Sequence, residues 1–208
     1  MKQRCVVWDC DEVLLDHIGG LYNFVKEHYD IHPETPYPEK YDLCQWLGGI
    51  TQPEVQEILK HFNHRSYEFG LLDPVEHNTV GIMQELRDKF PYDKFVVLTK
   101  SGTFGHGEVL RKVNLINVFG EGIFDDIIII EMYESKKSAL MKLKAQYDVK
   151  FLIDDYIKNI ETAIELDIPA VMMCACHNHE YKHNNGFDYV NNWSELRLKI
   201  YELMKKLQ

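Results

Sequence analysis

Two short apolar runs in this chain close abruptly on acids. Cys5-Val6-Val7-Trp8 runs into Asp9-Cys10-Asp11, and Phe151-Leu152-Ile153 runs into Asp154-Asp155. Runs of this length, rich in β-branched and aromatic residues, read as buried strands. In an open α/β sheet, ligands bind outside the carboxyl ends of the strands, so both acid pairs belong at the sheet's mouth. Further strands are expected at Phe95–Thr99, Asp126–Glu131, Lys150–Asp154 and Ala170–Cys174. Helices are expected near 103–115, 135–147, 157–166 and 193–207. Such alternation predicts an α/β fold: a Rossmann-like parallel sheet covered on both faces.

The first half breaks this rhythm. Ile18, Leu21, Tyr22, Val25 and Tyr29 form an apolar stripe at helical spacing from His17 to Tyr29. Pro33, Pro36 and Pro38 then end that helix. A second helix is expected from Pro53 through Val55, Ile58, Leu59 and Phe62, and a third from Val75 to Phe90. No strong strand signal precedes Lys94. This is too much chain for a simple crossover. Residues 16–74 are therefore expected to form an inserted helical cap, with 1–15 and 75–208 as the core domain.

Composition narrows the class. At 45% hydrophobic and 27% charged, 208 residues make an ordinary globular chain of one domain with a modest insertion. The balance of 23 basic and 33 acidic residues, −10 overall, argues against a nucleic-acid polymer or an anionic membrane as partner. A small anionic substrate stays admissible, because a bound metal and one lysine reverse the local field. No apolar run approaches the ~20 residues of a membrane span. Five cysteines in a chain this long do not resemble a disulfide framework, so a reducing cytoplasm is the expected setting.

The acids themselves point to chemistry. Side chains alternate on extended chain, which projects Asp9 and Asp11 to one side and turns Cys10 to the core, without a catalytic role. Like charges this close need a cation, and Mg²⁺ suits carboxylate oxygens while leaving room for a phosphate. The Thr99 hydroxyl, with Lys100 next to it, ends a strand where a phosphoryl oxygen could bind; a helix N-cap is the plain alternative. Lys136 and Lys137 open a helix, where the dipole disfavours cations, so one of them makes sense against an anion. An exposed surface pair is the other reading. Cys174-Ala175-Cys176-His177-Asn178-His179, with His183 beyond, has zinc-ligand chemistry but lacks the usual ligand gaps, and zinc is disfavoured.

Taken together, these residues resemble the haloacid dehalogenase superfamily of phosphohydrolases along the whole chain. Asp9-Cys10-Asp11-Glu12-Val13 is similar to its DxDx[TV] first motif, Thr99 to its second-motif hydroxyl and Lys136 to its third-motif lysine, with Lys137 as fallback. Asp154-Asp155 followed by Asn159 is similar to its acidic fourth motif, and the helical insertion to its C1 cap. The resemblance implies Asp9 as nucleophile and Asp11 as acid and base. It implies Thr99, Lys100 and Lys136 as phosphate ligands, and Mg²⁺ held by Asp9, the Asp11 carbonyl and Asp155, with Asp154 at the edge. Dehalogenation is disfavoured, because it would not require Asp11.

More loosely, Ala170–Met173, Asn178 and Val190-Asn191-Asn192-Trp193 resemble the 5′(3′)-deoxyribonucleotidase branch, where cap aromatics stack on the base. Phe24, Tyr41 and Trp46 are the candidates here, although an aromatic on such a helix is usually core. The expected activity is a Mg²⁺-dependent phosphomonoesterase acting on a nucleoside monophosphate, with a homodimer left open. A sugar phosphate or phosphoglycolate-like substrate is the runner-up, and a silent phospho-ligand-binding protein the alternative of another class.

Overall fold

Strand β1 (Arg4–Trp8) lies at the centre of the sheet because it is apolar on both faces. The computed structural model describes residues 2–183 and 186–206. After β1 come α1 (His17–Tyr29), α2 (Leu43–Trp46), α3 (Gln52–Arg65), a 3-10 turn at Tyr67–Gly70 and α4 (Thr79–Lys89). Alternation then begins: β2 (Lys94–Thr99), α5 (Gly107–Phe119), β3 (Asp126–Ile129), α6 (Lys137–Gln146), β4 (Asp148–Asp154), α7 (Ile157–Glu165) and β5 (Ala170–Met173). A second 3-10 turn (His179–His183), β6 (Asp188–Val190) and α8 (Trp193–Lys206) complete the described chain.

The sheet has the order β3-β2-β1-β4-β5-β6, and every pairing is parallel. The chain builds outward from β1 to β3, then returns to place β4 on the other side of β1. That reversal makes the β1/β4 boundary the topological switch point, where the crevice for a ligand opens.

Period-two alternation sorts the strand residues into two cores. Val6, Trp8, Phe95, Val97, Phe151, Ile153, Val171 and Met173 face one way, onto residues of α4, α5 and α8. Cys5, Val7, Val96, Leu98, Leu152, Ala170 and Met172 face the other, onto α6 and α7. The first core is continuous with the helical segment after β1, because Leu21, Phe24, Phe62 and Phe69 belong to the same cluster. Trp193 anchors α8 there: its ring stacks on Trp8 at 5.8 Å and its indole N–H donates to the Val13 carbonyl at 2.8 Å. Such an aromatic pair adds about 0.5–1.5 kcal/mol beyond the area it buries.

Several expected boundaries shift, each for a local reason. The helix expected near 103–115 begins at Gly107 and runs to Phe119, because Gly102 and Gly105 hold the preceding loop at φ 85 and 65. The helix expected from Val75 begins at Thr79. Residues 74 and 75 are instead drawn beside the segment after β1, through the antiparallel bridge Leu15–Pro74 and the Val75 N–H to Leu14 carbonyl bond at 3.0 Å. The chain thus leaves and re-enters the sheet at one crossing point. Helix α3 starts where Pro53 allows it, with the Glu54 carboxylate accepting from the Thr51 N–H at 2.8 Å and hydroxyl at 2.7 Å. No helix among the described residues is long and apolar enough to cross a membrane.

Candidate active site

Lys136, fully buried at the N-cap of α6, joins two strand ends. Its ammonium lies 2.7 Å from Asp9 Oδ1 and 2.7 Å from Asp154 Oδ2. The Asp9 N–H donates to the Ile153 carbonyl at 2.8 Å, which fixes the end of β1 against β4. The other oxygen of Asp154 accepts from the Tyr156 N–H and the Asn159 amide, each at 3.0 Å. Asp154 is therefore saturated, and it orients Lys136. Lys137, by contrast, is exposed and pairs with Glu165 at 2.9 Å, so of the two helix-opening lysines the structure brings Lys136 to the acids.

Burial pushes the Asp9 carboxyl up to about 6; Lys136 opposes this, while Asp155 and Asp11 add to it. Asp154 is likewise pushed up to about 6, by burial and then by Asp9. Burial alone would pull Lys136 down, but Asp154 and Asp9 outweigh it and hold it above the lysine range. Asp9, Asp154 and Asp155 each offer a carboxylate oxygen within 4.8 Å of the others. Three buried carboxylates converge here, and the donors they offer are all hard oxygens. This set fits a divalent cation of the magnesium type.

Asp155 is the least committed of the three. His177 Nε2 lies 3.2 Å from its Oδ2, yet the ring nitrogen is not aligned for a hydrogen bond and has no partner by that criterion. Burial pulls His177 down, but Asp155 and Cys176 prevail and push it up to about 10. Asn178 braces the loop, donating to the Asp155 carbonyl at 2.7 Å and the Met173 carbonyl at 2.8 Å.

On the other side of β1, the pairing of Trp8 with Val97 carries the end of β2 to the same level. Thr99 and Ser101 are both fully buried, and neither hydroxyl has a hydrogen-bond partner among the described residues. Buried orphan hydroxyls are uncommon and call for an explanation, and a ligand oxygen supplies one. Lys100 stands beside them with its ammonium 5.8 Å from the Tyr156 ring centre; burial, then Lys136, pull it below its usual range.

Asp11 departs from the simple picture of an extended chain. The strand stops at Trp8, and Glu12 adopts φ 58, closing a turn in which the Leu14 N–H donates to the Cys10 carbonyl at 2.8 Å. Asp11 reaches Arg111 of α5 at 2.5 Å, while Cys10 is buried as its alternation implied. Burial raises the Asp11 carboxyl, but Arg111, then His17, hold it below the usual range.

The three aromatic candidates separate. Phe24 is 1% exposed inside the helical segment, with Phe62 at 4.9 Å and His28 at 4.5 Å, so it has no face to offer. Trp46 is 9% exposed and spends its indole N–H on the Thr35 carbonyl at 2.8 Å. Both expectations are corrected, because helix-face aromatics are consumed by packing. Tyr41 is 56% exposed and stacks on Tyr156 at 4.1 Å, with the edge of His177 at 5.2 Å. The cysteine–histidine cluster divides: His177 turns to Asp155, and His179 to Cys174 at 3.6 Å.

Arg111, Ser101 and the Asp155–His177 contact escaped the sequence reading. Arg111 did leave a signal, since it occupies a core position of an amphipathic helix beside Asn114 and Leu115. An arginine on that face needs an anion.

No family model and no curated protein matches this chain. Solved structures do. A predicted phosphatase from Clostridium acetobutylicum superposes with a TM-score of 0.69 at 18% identity, over 97% of this chain and 100% of that one. A protein named as a candidate phosphoglycolate phosphatase, from Lactobacillus delbrueckii, gives 0.69 at 16% identity, over 96% and 99%. A haloacid dehalogenase-like hydrolase from Streptococcus pneumoniae gives 0.66 at 15% identity, over 97% and 98%. With its six parallel strands and its topological switch point between β1 and β4, this chain has the fold of the haloacid dehalogenase-like hydrolases.

Proposed function

We propose that this chain is a magnesium-dependent phosphomonoesterase working through an aspartyl-phosphate. The observation that carries the proposal is Lys136, buried between Asp9 and Asp154 at the switch point, with Asp155 within ligand distance. A structural ion pair would need neither the third carboxylate nor the two orphan hydroxyls beside it. The same observation weighs against a silent phosphate sensor, which has no use for a second acid at Asp11.

In this reading an Asp9 oxygen attacks phosphorus as the ester oxygen departs, and Asp11 gives that oxygen its proton. Asp11 then takes a proton from the water that cleaves the acyl phosphate, returning Asp9 to a carboxylate. Thr99 and Lys136 hold the phosphoryl oxygens on which charge spreads in the transition state. Lys100 adds positive charge at the mouth. Mg²⁺, held by Asp9, Asp155 and the Asp11 carbonyl, would supply charge neutralisation between nucleophile and phosphate. Residues 16–74 act as the cap that keeps bulk water from the acids.

The substrate is a small phosphorylated metabolite, and two classes have specific support. The exposed Tyr41 ring stacked on Tyr156 favours a leaving group that carries a flat ring, such as the nucleoside of a nucleoside monophosphate. The neighbour named for phosphoglycolate favours a small phosphorylated acid or sugar. Deoxynucleoside monophosphates, sugar phosphates and phosphoglycolate, each assayed with Mg²⁺ and with EDTA, separate them. EDTA-sensitive phosphate release that Asp9→Asn abolishes is expected. Turnover by Asp9→Asn at the parent rate would refute the mechanism.

A further inference from the structure

We propose that Arg111 is the positioning residue for Asp11, itself held under the Phe69 ring of the helical segment. The inference rests on the phosphomonoesterase reading above and adds a residue to it.

Arg111 is fully buried in α5, among the core positions of that helix. Taking a guanidinium out of water costs several kcal/mol and is repaid only by good partners. Its partners are specific. Nη2 lies 2.5 Å from Asp11 Oδ1, Nη1 lies 3.3 Å from Cys10 Sγ, and the Phe69 ring centre is 4.2 Å from Cζ. Nε has no partner, so the side chain is placed by these contacts rather than by saturation of its own donors.

Asp11 needs such a hold. It stands past the end of β1, one residue before the left-handed Glu12, in a turn whose backbone bonds leave its side chain free. Among the described residues its only side-chain hydrogen bond is to Arg111. That bond takes Oδ1 alone. Oδ2 stays unpaired, and the side chain is 29% exposed, so one oxygen is pinned while the other is offered to the opening. An acid that must meet a departing oxygen gains most from this arrangement, because misplacement by about 1 Å can cost a hundredfold.

Phe69 supplies the second half of the inference. It lies in the 3-10 turn after α3, on the limb that returns from the helical segment to the sheet. This turn packs on α5, where a Cβ on Gly70 would meet the Leu110 side chain at 3.0 Å. Phe69 thus lays its ring over the Arg111 guanidinium from the helical segment.

The test compares leaving groups. Esters of phenols, such as p-nitrophenyl phosphate, expel an oxygen that needs no proton, whereas alkyl phosphates need Asp11. In Arg111→Gln, kcat on the alkyl ester that wild type turns over fastest should fall about 10–100-fold with KM within about twofold. On p-nitrophenyl phosphate it should fall less than about fivefold. Arg111→Lys should recover part of the alkyl activity, and it carries the comparison if the glutamine variant does not fold. The double variant Asp11→Asn/Arg111→Gln should be no slower than Asp11→Asn, since Arg111 acts through Asp11. Equal losses on both esters, a double variant slower than Asp11→Asn by the full Arg111→Gln factor, or a faster Arg111→Gln enzyme would overturn the inference while leaving the hydrolase reading intact. A wild-type protein that releases phosphate from neither ester overturns both.

Discussion

The two ends of the central sheet both carry charge clusters, and they are built oppositely. At the amino ends of the strands, Arg4 grips Asp93 with two bonds of 2.7 and 2.9 Å. Asp125 accepts from Lys94 at 2.8 Å, from Arg87 at 2.9 Å and from the Phe95 N–H at 2.9 Å. Three cations meet two carboxylates, and every acid has a partner. At the carboxyl ends, Asp9 and Asp154 share Lys136, Asp11 meets Arg111, and Asp155 meets the His177 imidazole, which is pushed up to about 10. Asp125 is held below the usual carboxylate range, whereas Asp9 and Asp154 are pushed up to about 6. One end is arranged for the fold's own benefit. The other buries its acids so deeply that two of them are pushed up despite a lysine between them, and perturbation of this kind marks a candidate site.

The largest expected break in this contrast is Asp9→Asn. Losing the nucleophile should reduce phosphate release by about a thousandfold or more. Thermal unfolding should occur at the same temperature or higher, because the fold disfavours the Asp9 charge at neutral pH. A fall in both activity and melting temperature would make Asp9 a structural acid. Lys136→Met comes next, since it strips a buried partner from two carboxylates at once. A stability loss of about 3–5 kcal/mol in denaturant titration is expected, along with loss of activity. Lys94→Met, its counterpart at the other end, should cost under about 1 kcal/mol, because that ammonium is partly solvated. Equal losses would mean that the two clusters are energetically alike.

Metal addition probes the acidic end directly. Mg²⁺ at a hundred times its dissociation constant should stabilise the protein by about 2.7 kcal/mol, read as a rise in melting temperature that EDTA reverses. Asp155→Asn should remove most of this rise. Persistence of the full rise in Asp155→Asn would assign the cation to another place.

Much of this was legible in the sequence, for physical reasons. Val6, Val7, Phe151 and Leu152 announce buried strands because a central parallel strand must be apolar on both faces. Asp9, Thr99, Lys136 and Asp154-Asp155 announce the site because each stands where an apolar run stops or a helix opens. Boundaries were less legible, since Gly102, Gly105 and the Leu15–Pro74 bridge set them through backbone geometry that hydrophobic periodicity does not encode. Phe24 and Trp46 misled for a related reason: periodicity marks a buried face without saying whether a ligand or a neighbouring helix covers it. Arg111 announces only that it needs an anion on its buried helix face; which anion was hidden, because its partner Asp11 is a hundred residues away in sequence.

A modest effect belongs to the balanced end and sharpens the contrast there. Asp125→Asn keeps the side chain's size and one acceptor oxygen but removes the charge that Lys94 and Arg87 share. A loss of about 1–2 kcal/mol at neutral pH is expected, as for a charge-assisted hydrogen bond. Burial raises the Asp125 carboxyl, yet Lys94, the Phe95 amide and Arg87 together hold it low, so its folded value lies below its unfolded one. A depressed carboxylate stabilises the fold above its unfolded pKa, near 3.9, and that contribution fades as the pH drops through the folded value. The gap between parent and Asp125→Asn in urea titrations should thus be constant from pH 7 to about 5 and close at lower pH. A gap that widens on acidification would mean that Asp125 titrates upward like Asp9, and the two ends of the sheet would no longer be opposites.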